Sequence, residues 1–209
     1  MRAAVRRSPA ARPASRRGAV FVEEAGWELP ASFGDDAAER SAIRDRVAIA
    51  DVTARAKVDV RGAVPLALPV PADATLARIS AAWSIVLAPP NEEESVLGAL
   101  APVAAAHDVM ITDVTHLHAG FALLGPDVGR VLERVTSWDH AALGPGEAQA
   151  APIVEIPAVV VRPVAAPSVV EVYVPMEFGR YAWQQLVETI ASLGGAPVGW
   201  QALRAEGWR

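Results

Sequence analysis

The chain contains no cysteine. That excludes disulfides, thiolate metal sites and a thiol nucleophile together, and it agrees with a cytoplasmic setting. Lysine occurs once, at Lys57, among 19 basic residues, a compositional habit of the chain rather than a functional signal. No apolar run reaches the ~18 residues of a membrane span, because charges and prolines interrupt each one. A Gly-rich phosphate loop, a serine elbow and a His-Glu-x-x-His zinc motif are all missing. No catalytic residue can be assigned from motifs, so any chemistry served here requires a cofactor, a partner chain or both.

What remains is ample for one domain. Of 209 residues, 52% are hydrophobic, enough to bury a core and to exclude disorder of the whole chain. The net charge of −5 is unevenly spread. Residues 1–17 hold six arginines and no acid, which leaves 13 basic against 24 acidic residues beyond them, about −11. A body of that charge repels polyanions and argues against nucleic acid as the main ligand. The arginine-rich segment has no apolar stretch of the secretory kind, and residues 1–17 are expected as a disordered tail ahead of a domain spanning 18–209.

Short strands and helices are mixed along that domain. Strand patterns cover residues 19–22, 47–52, 56–60, 83–88, 119–124, 153–161 and 169–174. Residues 26–30 read as a turn anchored by Trp27, and the proline-rich stretch after Gly62 as a loop. In the strand 56–60, alternation places Val58 and Val60 inward and Lys57, Asp59 and Arg61 outward. Asp36 with Glu39 reads as a capping box opening a helix to about residue 47. A second helix follows Asn91, with Val96, Leu97, Leu100 and Val103 on one face. A third runs from Gly125-Pro126 to about Val135. The longest, 177–193, spaces Trp183, Leu186, Val187 and Ile190 at helical intervals before Gly194-Gly195 ends it. Pro197 is positioned to open a last short helix. The irregular rhythm predicts an α+β fold with mostly antiparallel sheets.

Ile49-Ala-Asp51-Val52-Thr53 recurs as Ile111-Thr-Asp113-Val114-Thr115, each ahead of a strand, and this echo predicts two related halves, about 18–108 and 109–209. Candidate chemistry is sparse. His116 and His118 would share one face of a strand and, with Asp113, form the one conceivable metal site; a polar strand edge is the preferred reading, with no metal. Asp113 follows an apolar run, where burial would tune it as a base, or where it would bond the following turn. Glu92, Glu93 and Glu94 fit the N-terminal charge of a helix. Trp200 and Arg204, four apart, fit a cation–π pair.

The order of segments carries more. Gly26-Trp27-Glu28-Leu29-Pro30, then Glu39 and Arg44, then 47–53 and Lys57-Val-Asp-Val-Arg61-Gly62, resembles the opening of the glycine cleavage T-protein (aminomethyltransferase) family. The Leu124-Gly125-Pro126 junction is similar to that family's strand-to-helix step. Gly195, Pro197 and Gly199, then Leu203, Arg204, Glu206 and Gly207, resemble the close of its folate-binding portion. The resemblance spans 18–209 and implies a duplicated folate-binding domain, with tetrahydrofolate or another reduced folate as cofactor. Arg204 and, less directly, Asp113 are the folate-contacting positions it offers.

Departures from the pattern count as well. The stretch between Gly62 and Trp83 is too short for the loop carrying the family's catalytic aspartate, and Asp73 stands alone there. The pterin-binding glutamate turn is replaced by residues 162–168. In these omissions the chain is similar to the gamma subunit of heterotetrameric sarcosine oxidase. The resemblance therefore implies an accessory or degenerate subunit of tetrahydrofolate-linked one-carbon metabolism, in a homo- or hetero-oligomer with a flavin oxidoreductase or another T-protein-like chain. A structural module without folate is the alternative, and an aminomethyltransferase with relocated catalytic groups the third reading. An oligomer of this kind is expected to expose Trp200, Trp208 and the strand 169–174.

Overall fold

The structure, a computed structural model, describes residues 5–163 and 169–207. Three sheets account for most of it. The smallest joins β1 (Arg6–Arg7), β2 (Val20–Glu24) and β3 (Trp27–Ser32) in the order β1-β3-β2. The largest has six strands in the order β10-β11-β12-β9-β4-β13. These are β4 (Ala48–Asp51), β9 (His118–Leu124), β10 (Ala148–Ile153), β11 (Ile156–Val161), β12 (Val169–Pro175) and β13 (Ala196–Pro197). The third sheet orders β6 (Thr75–Ser80), β7 (Trp83–Ala88), β5 (Ala56–Gly62) and β8 (Val109–Asp113) as β6-β7-β5-β8. Pairing is antiparallel except between β1 and β3 and between β13 and β4. The mixed, mostly antiparallel architecture is the α+β class read from the sequence.

Among the described residues six α-helices cover the sheets: α1 (Ala11–Ser15), α2 (Asp36–Asp45), α3 (Glu93–Ala106), α4 (Val128–Val135), α5 (Gly179–Ser192) and α6 (Trp200–Ala205). Their apolar stripes decide where each one lands. Trp183, Leu186, Val187 and Ile190 of α5 and Val128, Val131 and Leu132 of α4 pack on Phe121, Leu123, Val170 and Val172 of the six-stranded sheet. Val96, Leu100 and Val103 of α3 pack on Val58, Val60 and Val86 of the four-stranded sheet. A separate cluster, built around Ile85, Leu87, Val159, Val161 and Tyr173, closes the space between those two sheets. No helix of the described residues is long and apolar enough to cross a membrane.

Several local expectations are corrected. Residues 6–15 are folded onto the body: Ala10 and Ala14 are buried in the main core, so small side chains seat α1 where a disordered tail was expected. The segment at Trp27 is a strand, because Trp27 and Leu29 alternate inward against Trp200 and Ala54. The stretch before Trp83 contains β6 as well as loop. Residues 153–161 are not one strand; Val154 and Glu155, with φ of 45° and 67°, turn the β10–β11 hairpin. Pro197 lies in β13 rather than opening a helix. Trp200 and all of 169–174 are buried, the first against Trp27 and the second inside the six-stranded sheet; Trp208 lies outside the described residues.

Glu39 shows how the elements are tied. The cap of α2 is Asp35, whose carboxylate accepts from the Ala37 and Ala38 amides, so Glu39 is free for another task. Buried, it accepts from Ser32 Oγ at 2.8 Å, Phe33 N at 2.6 Å and Gly199 N at 2.7 Å. One carboxylate thus joins the end of β3, the start of α2 and the start of α6. Gly199 has to be glycine for this approach, since a Cβ there would collide with the Ala31 carbonyl.

Candidate functional site

The two sequence echoes meet in the middle of the molecule. After β4, the Thr53 amide donates to Asp51 Oδ1 at 3.0 Å; after β8, the Thr115 amide donates to Asp113 Oδ1 at 2.9 Å. These are the same Asx turn made twice. The turns also bond across to each other's following strand. Val52 N donates to the Gly120 carbonyl and Val114 N to the Lys57 carbonyl, both at 2.9 Å. Thr53 Oγ1 accepts from Gly120 N at 3.1 Å, and Thr115 Oγ1 accepts from Lys57 N at 2.9 Å.

Around these turns lies the most polar part of the interior. Lys57 is fully buried, contrary to the outward face expected from alternation, because β5 is covered on both sides. Its ammonium donates to the carbonyls of Thr53 (2.8 Å), Arg55 (2.7 Å) and Thr115 (3.1 Å), the same two turns. Burial, assisted by the nearby Arg55 charge, pulls Lys57 down to about 7. Asp51 moves the other way: burial raises its carboxyl, while the Ser8 and Thr53 hydroxyls pull it back. Ser8, from the N-terminal segment, lies 3.3 Å from the Thr53 hydroxyl and so covers this turn.

Beside Lys57, Arg55 donates to Glu171 Oε1 at 2.6 Å and to the carbonyls of Leu87 and Ala88 at 3.3 and 3.4 Å. The other Glu171 oxygen accepts the Tyr173 hydroxyl. Burial works against the Arg55 charge, but Glu171 and Tyr173 more than offset it and hold the guanidinium above its ordinary value. Burial and the adjacent carboxylate hold the Tyr173 phenol well above its own. The group bridges the end of β7 to the middle of β12 and fills the junction between the two large sheets.

The residues expected to contact folate are not gathered here. Arg204 lies on the surface face of α6, ion-paired with Glu24 and 5.8 Å from the Trp200 ring centroid. The expected cation–π pair is therefore present, with its aromatic member buried. Glu206 pairs with Arg44 at 2.7 Å, so the closing Leu-Arg-x-Glu stretch fastens α6 to β2 and α2. Asp113 is exposed and occupied by the Thr115 amide, the turn-bonding role rather than a buried base. His116 stacks on Trp27 at 5.8 Å, and His118 is half-buried on β9 with its pKa lowered by burial. Among the described residues no three His, Asp or Glu side chains converge as metal ligands. Sequence reasoning missed Arg55, Glu171 and Tyr173 and put Lys57 on the outer face; the signals available were Lys57 and Glu171, charged residues inside the strand patterns 56–60 and 169–174.

Comparison with known proteins places the chain. A family model described as the GCVT N-terminal domain matches residues 69–207. An aminomethyltransferase of Geobacillus kaustophilus is 29% identical over 169 residues, covering 68% of this chain and 46% of that protein. One from Streptomyces avermitilis is 22% identical over 210 residues, covering 87% and 56%. The chain thus spans about half the length of these relatives. Among solved structures, glycine cleavage system aminomethyltransferase T from Bartonella henselae superposes with a TM-score of 0.74 at 16% identity, covering 95% of this chain and 60% of that one. A chain of the heterotetrameric sarcosine oxidase from Corynebacterium sp. U-96 gives 0.65 at 16% identity, covering 91% and 97%. At these identities the structural likeness shows the fold.

Proposed function

The chain belongs to the GCVT N-terminal domain family, and from that membership we propose that it is an accessory subunit of tetrahydrofolate-linked one-carbon metabolism. Its partner is a flavin oxidoreductase or another T-protein-like chain, and its setting is the cytoplasm. The observation that carries this reading is the junction between the large sheets. Arg55, Glu171, Tyr173 and Lys57 fill it and spend their hydrogen bonds on one another and on backbone carbonyls. Folate does not fit the expected residues. Arg204 and Asp113 stand on different elements, each already engaged, and make no common cradle for a pterin. No step of aminomethyl transfer is therefore assigned to this chain's residues. Near-complete coverage of a chain from an enzyme described as heterotetrameric supports a role within a complex.

The paired Asx turns support a further element of this reading: the fold as a duplication with halves near 18–108 and 109–209. The reciprocal bonds to Gly120 and Lys57 are what a pseudo-two-fold between the halves requires.

A non-enzymatic interaction module without folate is the second reading, favoured by the engagement of Arg204 with Glu24 and of Asp113 with the Thr115 amide. Titrating the chain with a reduced folate while following tryptophan fluorescence separates the two. Weak saturable binding supports the accessory folate-linked role. Binding that never saturates supports the module. Tight binding contradicts the accessory reading.

A further inference from the structure

The N-terminal segment builds a feature that the proposed function does not use. Where it crosses β2 and β3 it walls a surface groove of about 580 Å³, lined by Arg7, Ser8, Arg12, Ser15, Arg16 and Phe21. Arg7 is neutralised there by Glu28, at 2.6 Å. Arg12 and Arg16 are not. They stand four residues apart, Arg12 in α1 and Arg16 at its C-terminal cap, both exposed, and among the described residues neither guanidinium has an acid partner. Like charges at this spacing repel each other. The body beyond residue 17 carries about −11, yet none of its acids answers them.

From this we infer that the groove is a binding site for a small polyanion, a molecule carrying two or more carboxylates or phosphates. The guanidinium fork matches both groups with paired hydrogen bonds, and two forks four residues apart favour a ligand with two anionic ends over a single one. The volume lies in the range of small-molecule sites, roughly 300–1,000 Å³, and the Phe21 ring supplies an apolar wall. A long nucleic acid is disfavoured by the net negative charge of the chain beyond residue 17.

The test is calorimetric titration of the full chain with citrate, pyrophosphate and acetate at matched ionic strength. The inference expects saturable binding of citrate or pyrophosphate and none of acetate. The Arg12→Gln/Arg16→Gln variant should bind at least tenfold more weakly with unchanged circular dichroism, while an Arg40→Gln/Arg180→Gln control binds normally. Preference for citrate assigns carboxylates, and preference for pyrophosphate assigns phosphates; either supports the site. Three results would overturn it: heats equal for acetate and the polyanions, equal loss in the control variant, or binding of a long oligonucleotide with none of the small anions.

Discussion

Arg55 and Glu171 form a buried ion pair, and such pairs have a characteristic mutational signature. Removing one partner strands a charge, which costs about 3–5 kcal/mol, whereas replacing the whole group by apolar residues of like volume is close to neutral or stabilising. Arg55→Met or Glu171→Leu alone should therefore destabilise by about that amount in urea melts. The triple variant Arg55→Met/Glu171→Leu/Tyr173→Phe should recover most of the loss, since the Tyr173 hydroxyl then has nothing left unpaired. Lys57 gives a pH signature. Its pKa is about 7 folded and 10.5 as the ordinary value, so above pH 7 the unfolded chain holds a proton that the folded chain has lost. Stability from this residue therefore rises with pH between 7 and 10.5, by up to about 1.4 kcal/mol per unit. Lys57→Met should remove that rise relative to the parent, measured as the difference in urea midpoints at pH 7 and 9.5.

The elements were legible where one face of a helix or strand is apolar and the other wet. Helices α3, α4 and α5 were readable from Val96, Val131 and Trp183 with their i+3 and i+4 companions, because burial follows that stripe. Where burial is two-sided the pattern fails. Strand β5 alternates as though half-exposed, and only the packing of sheet, helix and turn around it puts Lys57 inside. The β10–β11 turn was hidden for another reason: Val154 and Glu155 occupy positive-φ positions that a sequence ordinarily marks with Asn or Gly. The N-terminal segment was hidden by its arginines, whose charge masks the alanines that seat α1. Its burial leads to a prediction. Deleting residues 1–17 removes Ala10, Ala11 and Ala14 from cover and should cost on the order of 2–3 kcal/mol at ~0.8 per buried CH₂ or methyl group. Glu39→Ala should cost about 1–3 kcal/mol, because Ser32, Phe33 and Gly199 lose their shared acceptor.

At the scale of the whole molecule, family and fold class were readable from colinear segments, while the centre was not. The resemblance led to Arg204 and Asp113 as contact residues, whereas the interior is organised by Arg55, Lys57, Glu171 and Tyr173, to none of which it gave a role. Arg204 and Glu206 instead fasten the last helix. The proposed accessory role implies that the chain does not perform aminomethyl transfer by itself. The most direct measurement is turnover by the purified full chain, given an aminomethylated lipoyl carrier and tetrahydrofolate. The account predicts no product above background. Turnover well above background, abolished by Asp113→Asn or Asp73→Asn, would contradict it and establish a relocated catalytic carboxylate.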